Sequence, residues 1–129
     1  TGPWIRLNGD RAFSRCHVNL YIRADIGGHQ FDVESWFRFF DLLEKRDQVW
    51  CITTRTAVYE KDRMDPVDPR GVPDRLLAGM DLSGFPPATK HLCYLQNLSG
   101  RPAASEIVSV YSDEEAALKQ SCEAWLAGK

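Results

Sequence analysis

The chain has 129 residues, 43% of them hydrophobic and 26% charged, which is the composition of a globular protein long enough to bury a core. Its formal net charge of −2 argues against binding to nucleic acid or to an anionic membrane. No apolar run approaches the roughly 20 residues that a membrane-spanning helix needs. We expect a single domain over residues 1–129, and because no signal peptide follows Thr1 we interpret the chain as processed or cut from a longer one.

The cysteine pattern argues against both a disulfide framework and a metal site. Cys16, Cys51, Cys93 and Cys122 are widely spaced, and none forms a CxxC motif or a metal-binding spacing with histidine. We therefore expect reduced, mostly buried thiols, which suits a cytoplasmic protein. The sequence also lacks a glycine-rich phosphate loop, GxSxG and HExxH, so it predicts neither a metal nor a cofactor.

The first half of the chain predicts a meander of antiparallel strands. Residues 8–10, Asn-Gly-Asp, are a strong turn signal, and the glycine pair at 27–28 ends a stretch in which apolar and polar residues alternate. A long hairpin with a three-residue loop follows. The predicted strands are residues 4–7, 11–25, about 36–45 and about 49–60, with the hairpin loop at 46–48.

The second half predicts a less regular extension over residues 68–129 that ends in a helix. Pro66 and Pro69 lie in a segment, residues 61–71, that is expected to leave the sheet. Short elements follow: a helix at 73–80, a helical turn or covering segment at 91–96 and an extended segment at 107–111. Ser112 and Glu115 form a capping box that opens a helix over about 113–127, with an apolar stripe of Leu118, Cys122, Trp125 and Leu126.

Two stretches resemble the SnoaL-like branch of the nuclear transport factor 2-like superfamily. They are TGPWIRLNGDRAF, in which Asp10 and Ala12 open a long strand, and DLLEKRDQVWCITTRTAVYEKDRMDP, which looks like the last hairpin of that family. HLCYLQ and EAWLAG are similar to the C-terminal extensions of some members. The resemblance implies an α+β fold, with a strongly curved antiparallel sheet, a cone-like half barrel, around a pocket and a C-terminal helix packed alongside.

The same resemblance implies two classes of function. Family members include polyketide cyclases, dehydratases, dehydrochlorinases and isomerases, which implies a cofactor-independent lyase or isomerase acting by acid–base chemistry on an apolar oxygenated substrate. The fold also serves as a non-catalytic small subunit of ring-hydroxylating dioxygenases, which implies a binding or assembly subunit or a ligand carrier. The family's N-terminal helices, with their catalytic Asp and a His just before the strand that begins here at Trp4, are absent from this sequence. We expect them upstream of Thr1 or on another chain.

One face of the predicted hairpin carries the candidate site. Counting back from the loop puts Phe37, Phe39, Asp41, Arg55, Ala57 and Tyr59 on the same face, and Val18 and Leu20 are expected to join them in lining a pocket. Asp41 and Arg55 are diagonal neighbours in this register and are expected to form a charge-assisted pair. In the functional interpretation Arg55 or Tyr59 polarises a substrate oxygen while Asp41 orients it or moves a proton. In the alternative interpretation the ion pair only ties two strands together.

The other face of the hairpin is also apolar and predicts contact with a second copy of the chain. A homo-oligomer is therefore expected through Trp36, Phe40 and Trp50, because large apolar groups are rarely left in water. The histidines, His17, His29 and His91, are expected at the surface or at an interface rather than in a catalytic or metal site.

Overall fold

A computed structural model describes residues 2–101 and 106–128, and in these ranges it contains five strands of one sheet and three α-helices. Along the sheet the strands follow chain order; the first strand (Trp4–Asn8) pairs antiparallel with the second (Arg11–Ile26), and the fifth (Val108–Ser109) pairs parallel to the fourth (Val49–Pro66). The expected α+β class, with its curved sheet and C-terminal helix, is confirmed. The elements are β1 (Trp4–Asn8), β2 (Arg11–Ile26), β3 (His29–Arg46), β4 (Val49–Pro66), α1 (Asp74–Ala78), a 3-10 turn (Pro87–Thr89), α2 (Lys90–Leu98), β5 (Val108–Ser109) and α3 (Asp113–Leu126).

The β3–β4 hairpin is longer and its turn tighter than predicted. Each strand has 18 residues, and only Asp47 and Gln48 lie between them. Both have positive φ, 49° and 66°, as in the two-residue turns whose twist matches that of the strands, so the predicted three-residue loop is wrong. The prediction that the chain leaves the sheet at residue 61 is also wrong. Pro66 is the last residue of β4, where its missing N–H interrupts no pairing inside the strand.

Contacts between residues divide the chain into two compact units, each with its own core. The first unit includes the residues up to Val18, Phe37–Tyr59 and the residues from Ile107 onward. The second includes Asn19–Trp36 and the described residues from Glu60 to Glu106. The strands β2, β3 and β4 contribute to both units.

The core of the first unit forms where α3 packs on the sheet. Phe13, Phe40 and Val58 from three strands meet Cys122 and Leu126 of α3, and none of the five side chains is more than 4% exposed. The expectation that Phe40 faces a second copy of the chain needs correction, because α3 already covers this side chain and leaves it 1% exposed. Burial of these apolar groups is the main reason why α3 docks here.

Polar contacts fix both ends of α3. At its start the Ser112 hydroxyl accepts a hydrogen bond from the Glu115 N–H at 3.1 Å, which confirms the predicted cap. The Glu115 carboxylate reaches the N–H of Tyr111, one residue earlier than a capping box would place it. Near its end Arg11 donates to the Trp125 carbonyl and Asn8 to the Leu126 carbonyl, both at 2.7 Å. These bonds satisfy carbonyls that have no partner within the helix.

The second unit has its own core near the turn between β2 and β3. Ile26, Phe31, Val33 and Leu95 are buried together, and Leu76 of α1 packs against them. Gly27 in the turn has a φ of +60°, and a Cβ on it would lie 2.8 Å from a methyl carbon of Leu76. Glycine is therefore required here both for its backbone conformation and for the close approach of α1.

All four cysteines are free thiols in the described structure. Cys93 and Cys122 are each 2% exposed, and burial raises the pKa of both thiols. Cys16 and Cys51 are half-buried. Within residues 2–101 and 106–128, no helix is long and apolar enough to cross a membrane.

Candidate functional site

Five of the predicted site residues lie together on one face of the first unit, which we call the Arg55 face. Phe37, Phe39 and Asp41 occupy alternate positions on β3, and Arg55 and Tyr59 come from β4. The rings of Phe37 and Phe39 meet edge to face with their centroids 5.2 Å apart, and the ring of Tyr59 lies 5.3 Å from that of Phe37. The Arg55 guanidinium stacks over the Phe39 ring at 4.1 Å. The result is an aromatic wall with a cation at one end.

Asp41 holds the Arg55 guanidinium in a defined orientation. Nε and one terminal nitrogen donate to the two carboxylate oxygens at 2.8 and 2.9 Å, a bidentate pair. The hydrogen bonds that Arg55 donates to the Asp41 carboxylate raise the pKa of Arg55 above its usual value, so Arg55 remains a cation. The side chain of Asp41 is only 6% exposed, whereas that of Arg55 is 46% exposed. Asp41 therefore orients Arg55, and Arg55 presents the charge to solvent.

This geometry suits the recognition of an oxygen atom on an apolar body. The second terminal nitrogen of Arg55, Nη1, takes part in neither bond to Asp41 and remains available to donate to a ligand. The partly exposed rings of Phe39 and Tyr59 supply apolar surface for the rest of such a molecule. Because both oxygens of Asp41 accept bonds from Arg55, this carboxylate is poorly placed to take a proton from a ligand.

The remaining predicted residues occupy other positions. Ala57 lies between Arg55 and Tyr59 on β4 and is half-buried, as is Val18 on β2. Leu20 belongs to the second unit, where it lines a cavity of about 550 Å³. The other residues of that cavity are Ile22, Leu92, Leu95, Gln96, Ser99 and Arg101.

Asp62 and His91 form a hydrogen-bonded pair in the second unit that sequence patterns did not indicate. The Asp62 side chain is fully buried; one oxygen lies 2.8 Å from Nδ1 of His91 and the other accepts the N–H of Leu92 at 2.9 Å. These contacts occupy the first turn of α2, so Asp62 does for this helix what a capping side chain does elsewhere. The two residues are 29 positions apart, so no local sequence pattern predicts that a residue of β4 caps α2.

Among the residues that the structure describes, no cluster of three or more His, Cys, Asp or Glu side chains is arranged to hold an ion. The Asp62–His91 pair lacks a third ligand of this kind and is better explained as the anchor of α2.

No known family model matches the chain. Two proteins of the fungus Fusarium vanettenii are similar to the chain in sequence. Pea pathogenicity protein 2 is 35% identical over 92 residues, which cover 71% of this chain and 39% of that protein. A PEP2-like protein is 33% identical over 96 residues, covering 74% of this chain and 40% of that protein. The chain therefore spans about two fifths of the length of these curated relatives, and their names specify neither a ligand nor a reaction.

Proposed function

We propose that the chain is part of a SnoaL-like pocket protein that binds a small apolar molecule through an oxygen atom on the Arg55 face. One observation carries this proposal. The Arg55 guanidinium is held by Asp41 on one side and by the Phe39 ring on another, yet nearly half of its side chain remains exposed. A purely structural ion pair needs the two bonds to Asp41 but does not need the stacked aromatic wall beside them.

Preorganisation is the physical reason why such a cation favours a ligand. An arginine that is free in solution loses rotamer entropy when it binds, whereas Arg55 is already ordered by two hydrogen bonds and a ring. Its planar fork then meets a carbonyl or carboxylate oxygen without rearrangement. The aromatic rings exclude water from one side of the contact, which strengthens the hydrogen bond.

A lyase or isomerase reaction on this ligand is the catalytic form of the proposal. Arg55 would stabilise negative charge that develops on the ligand oxygen during elimination or isomerisation. Proton transfer would fall to a group other than Asp41, since both oxygens of Asp41 are held by Arg55. The free thiols support a cytoplasmic location for this activity.

The test compares two ligands of nearly the same shape, α-tetralone, which has a ketone oxygen, and tetralin, which has none. Isothermal titration of the chain is expected to show about tenfold tighter binding of α-tetralone, because a hydrogen bond from a charged donor adds this much or more. Equal affinities for the two ligands, or no binding of either, would contradict the proposal.

A second candidate is the non-catalytic assembly subunit, and one surface favours it. Val49, Trp50 and Ile52 are 60%, 39% and 50% exposed on the part of β4 that β5 does not cover, since β5 pairs only with Val58 and Tyr59. An uncovered apolar strand edge is a natural place for another chain to pair. We therefore place the proposed homo-oligomer contact at Trp50. Trp36, the other expected contact, has the Lys61 ammonium 4.8 Å from its ring centroid.

A further inference from the structure

A cavity of about 330 Å³ in the first unit contains positively charged groups that the Arg55 face does not explain. Its lining residues are Gly2, Trp4, Arg15, Cys16, His17 and Arg38. Trp4 and Arg15 are direct partners in the β1–β2 pairing, and His17 follows Arg15 by two positions on the same face of β2. Arg38 lies between Phe37 and Phe39 on β3, so its side chain leaves the sheet on the side opposite to the Arg55 face.

Aromatic rings hold Arg15 in place at this cavity. Its guanidinium carbon lies 4.3 Å from the ring centroid of Trp4, and 5.9 and 5.8 Å from those of Phe13 and Phe40. Phe13 and Phe40 belong to the buried core, so this side of the guanidinium packs against the core of the unit. Such contacts orient an arginine but leave its hydrogen-bond donors, which lie in the guanidinium plane, without acceptors.

The positive charge of Arg15 is not neutralised by a neighbouring acid. Among the residues described by the structure, Arg15 forms no ion pair with a carboxylate, and neither Asp nor Glu lines the cavity. Every other ring-stacked arginine of this unit has an acceptor: Arg6 bonds Glu123, Arg11 the Trp125 carbonyl and Arg55 Asp41. Arg15 therefore differs from them in that its guanidinium N–H donors have no acceptor among the described residues.

We propose that this cavity binds a small organic anion, a carboxylate or phosphate group on a flat ring. Arg15 would donate two parallel hydrogen bonds to the anionic group, and Arg38 would add positive charge from β3. The ring would pack against the exposed part of Trp4. The volume is at the lower end of the range of about 300–1,000 Å³ for ligand pockets, which favours a molecule with one ring. This site is separate from the Arg55 face and does not depend on the ligand proposed there.

Nuclear magnetic resonance titration of the chain with benzoate and phenyl phosphate tests the proposal. Either anion is expected to shift the indole N–H signal of Trp4 until the site is saturated, and the tighter of the two identifies the anionic group. Benzamide, the neutral analogue of benzoate, is expected to leave the signal in place. If neither anion produces a saturable shift, or if benzamide produces the same shift, the cavity is not an anion site.

Two variants distinguish a binding role of Arg15 from a structural one. Arg15→Met is expected to weaken binding of the preferred anion about tenfold or more, because it removes the charge and the forked donors. Arg15→Lys keeps the charge and provides a folded comparison if the Met variant is unstable. Its affinity for the anion should lie between those of the unmodified chain and the Met variant. Arg63→Met, which removes an exposed arginine of the second unit, is the matched control and should bind normally. Unchanged affinity in both Arg15 variants would overturn the proposal.

Discussion

Phe40→Ala is expected to lower the free energy of unfolding by about 3–5 kcal/mol, the usual cost of removing a fully buried Phe side chain. Phe40 is 1% exposed and contacts the core to which α3 contributes Cys122 and Leu126. The substitution therefore leaves a cavity beneath α3 as well as losing the transfer free energy of the ring. Unfolding of the chain in guanidinium chloride, followed by circular dichroism, measures the change.

Tyr21→Ala provides the control for this measurement. Tyr21 is 68% exposed on β2, so its replacement removes an aromatic residue from a strand without opening the core. Its cost should stay below about 1 kcal/mol, the span of strand propensities. If Phe40→Ala cost no more than Tyr21→Ala, Phe40 would not be buried by α3. The side chain would then be free to contact a second copy of the chain, as the sequence predicted.

Arg55→Met is expected to remove most of the preference for α-tetralone over tetralin, a loss of about tenfold in the affinity ratio. Methionine keeps part of the side-chain volume beside Phe39 but has no donor for a ligand oxygen. Affinity for tetralin should change little, because the aromatic wall remains. Titration of both variants with both ligands gives the ratio directly.

Two further variants make this result interpretable. Arg63→Met removes another arginine that pairs with an aspartate, Asp65, at an exposed site and should leave the preference unchanged. Asp41→Asn keeps Arg55 but weakens its orientation, so a partial loss is expected. If Arg55→Met bound α-tetralone as well as the unmodified chain does, Arg55 would be only a structural tie between β3 and β4.

Local patterns predicted β1, β2 and α3 well. The alternation in residues 11–25 corresponds to β2, and Ser112 with the apolar stripe after it corresponds to the cap and buried side of α3. The strand and the helix both follow from residues that are close together in sequence, so their patterns are visible in the sequence alone. The hairpin turn was harder, because Asp47 and Gln48 are not residues that favour positive φ as strongly as Gly or Asn.

Sequence patterns could not predict the contacts between distant parts of the chain. On β3 the adjacent residues Phe40 and Asp41 lie on opposite faces and are both buried, Phe40 by α3 and Asp41 by Arg55 and its surroundings. The alternation of buried and exposed residues therefore fails at this point. The cap that Asp62 supplies to α2 and the stacking of Arg15 on Trp4 likewise depend on pairings that are visible only in three dimensions. Sequence spacing named most of the Arg55 face but not the cavity around Arg15.

The most direct measurement of the central claim is the position of bound α-tetralone on the chain. Intermolecular nuclear Overhauser effects in a labelled sample are predicted between the ligand ring and the side chains of Phe39 and Tyr59, with the ketone oxygen directed at Arg55. Effects that connect the ligand instead to Leu92 and Leu95, in the cavity of the second unit, would contradict the proposed site.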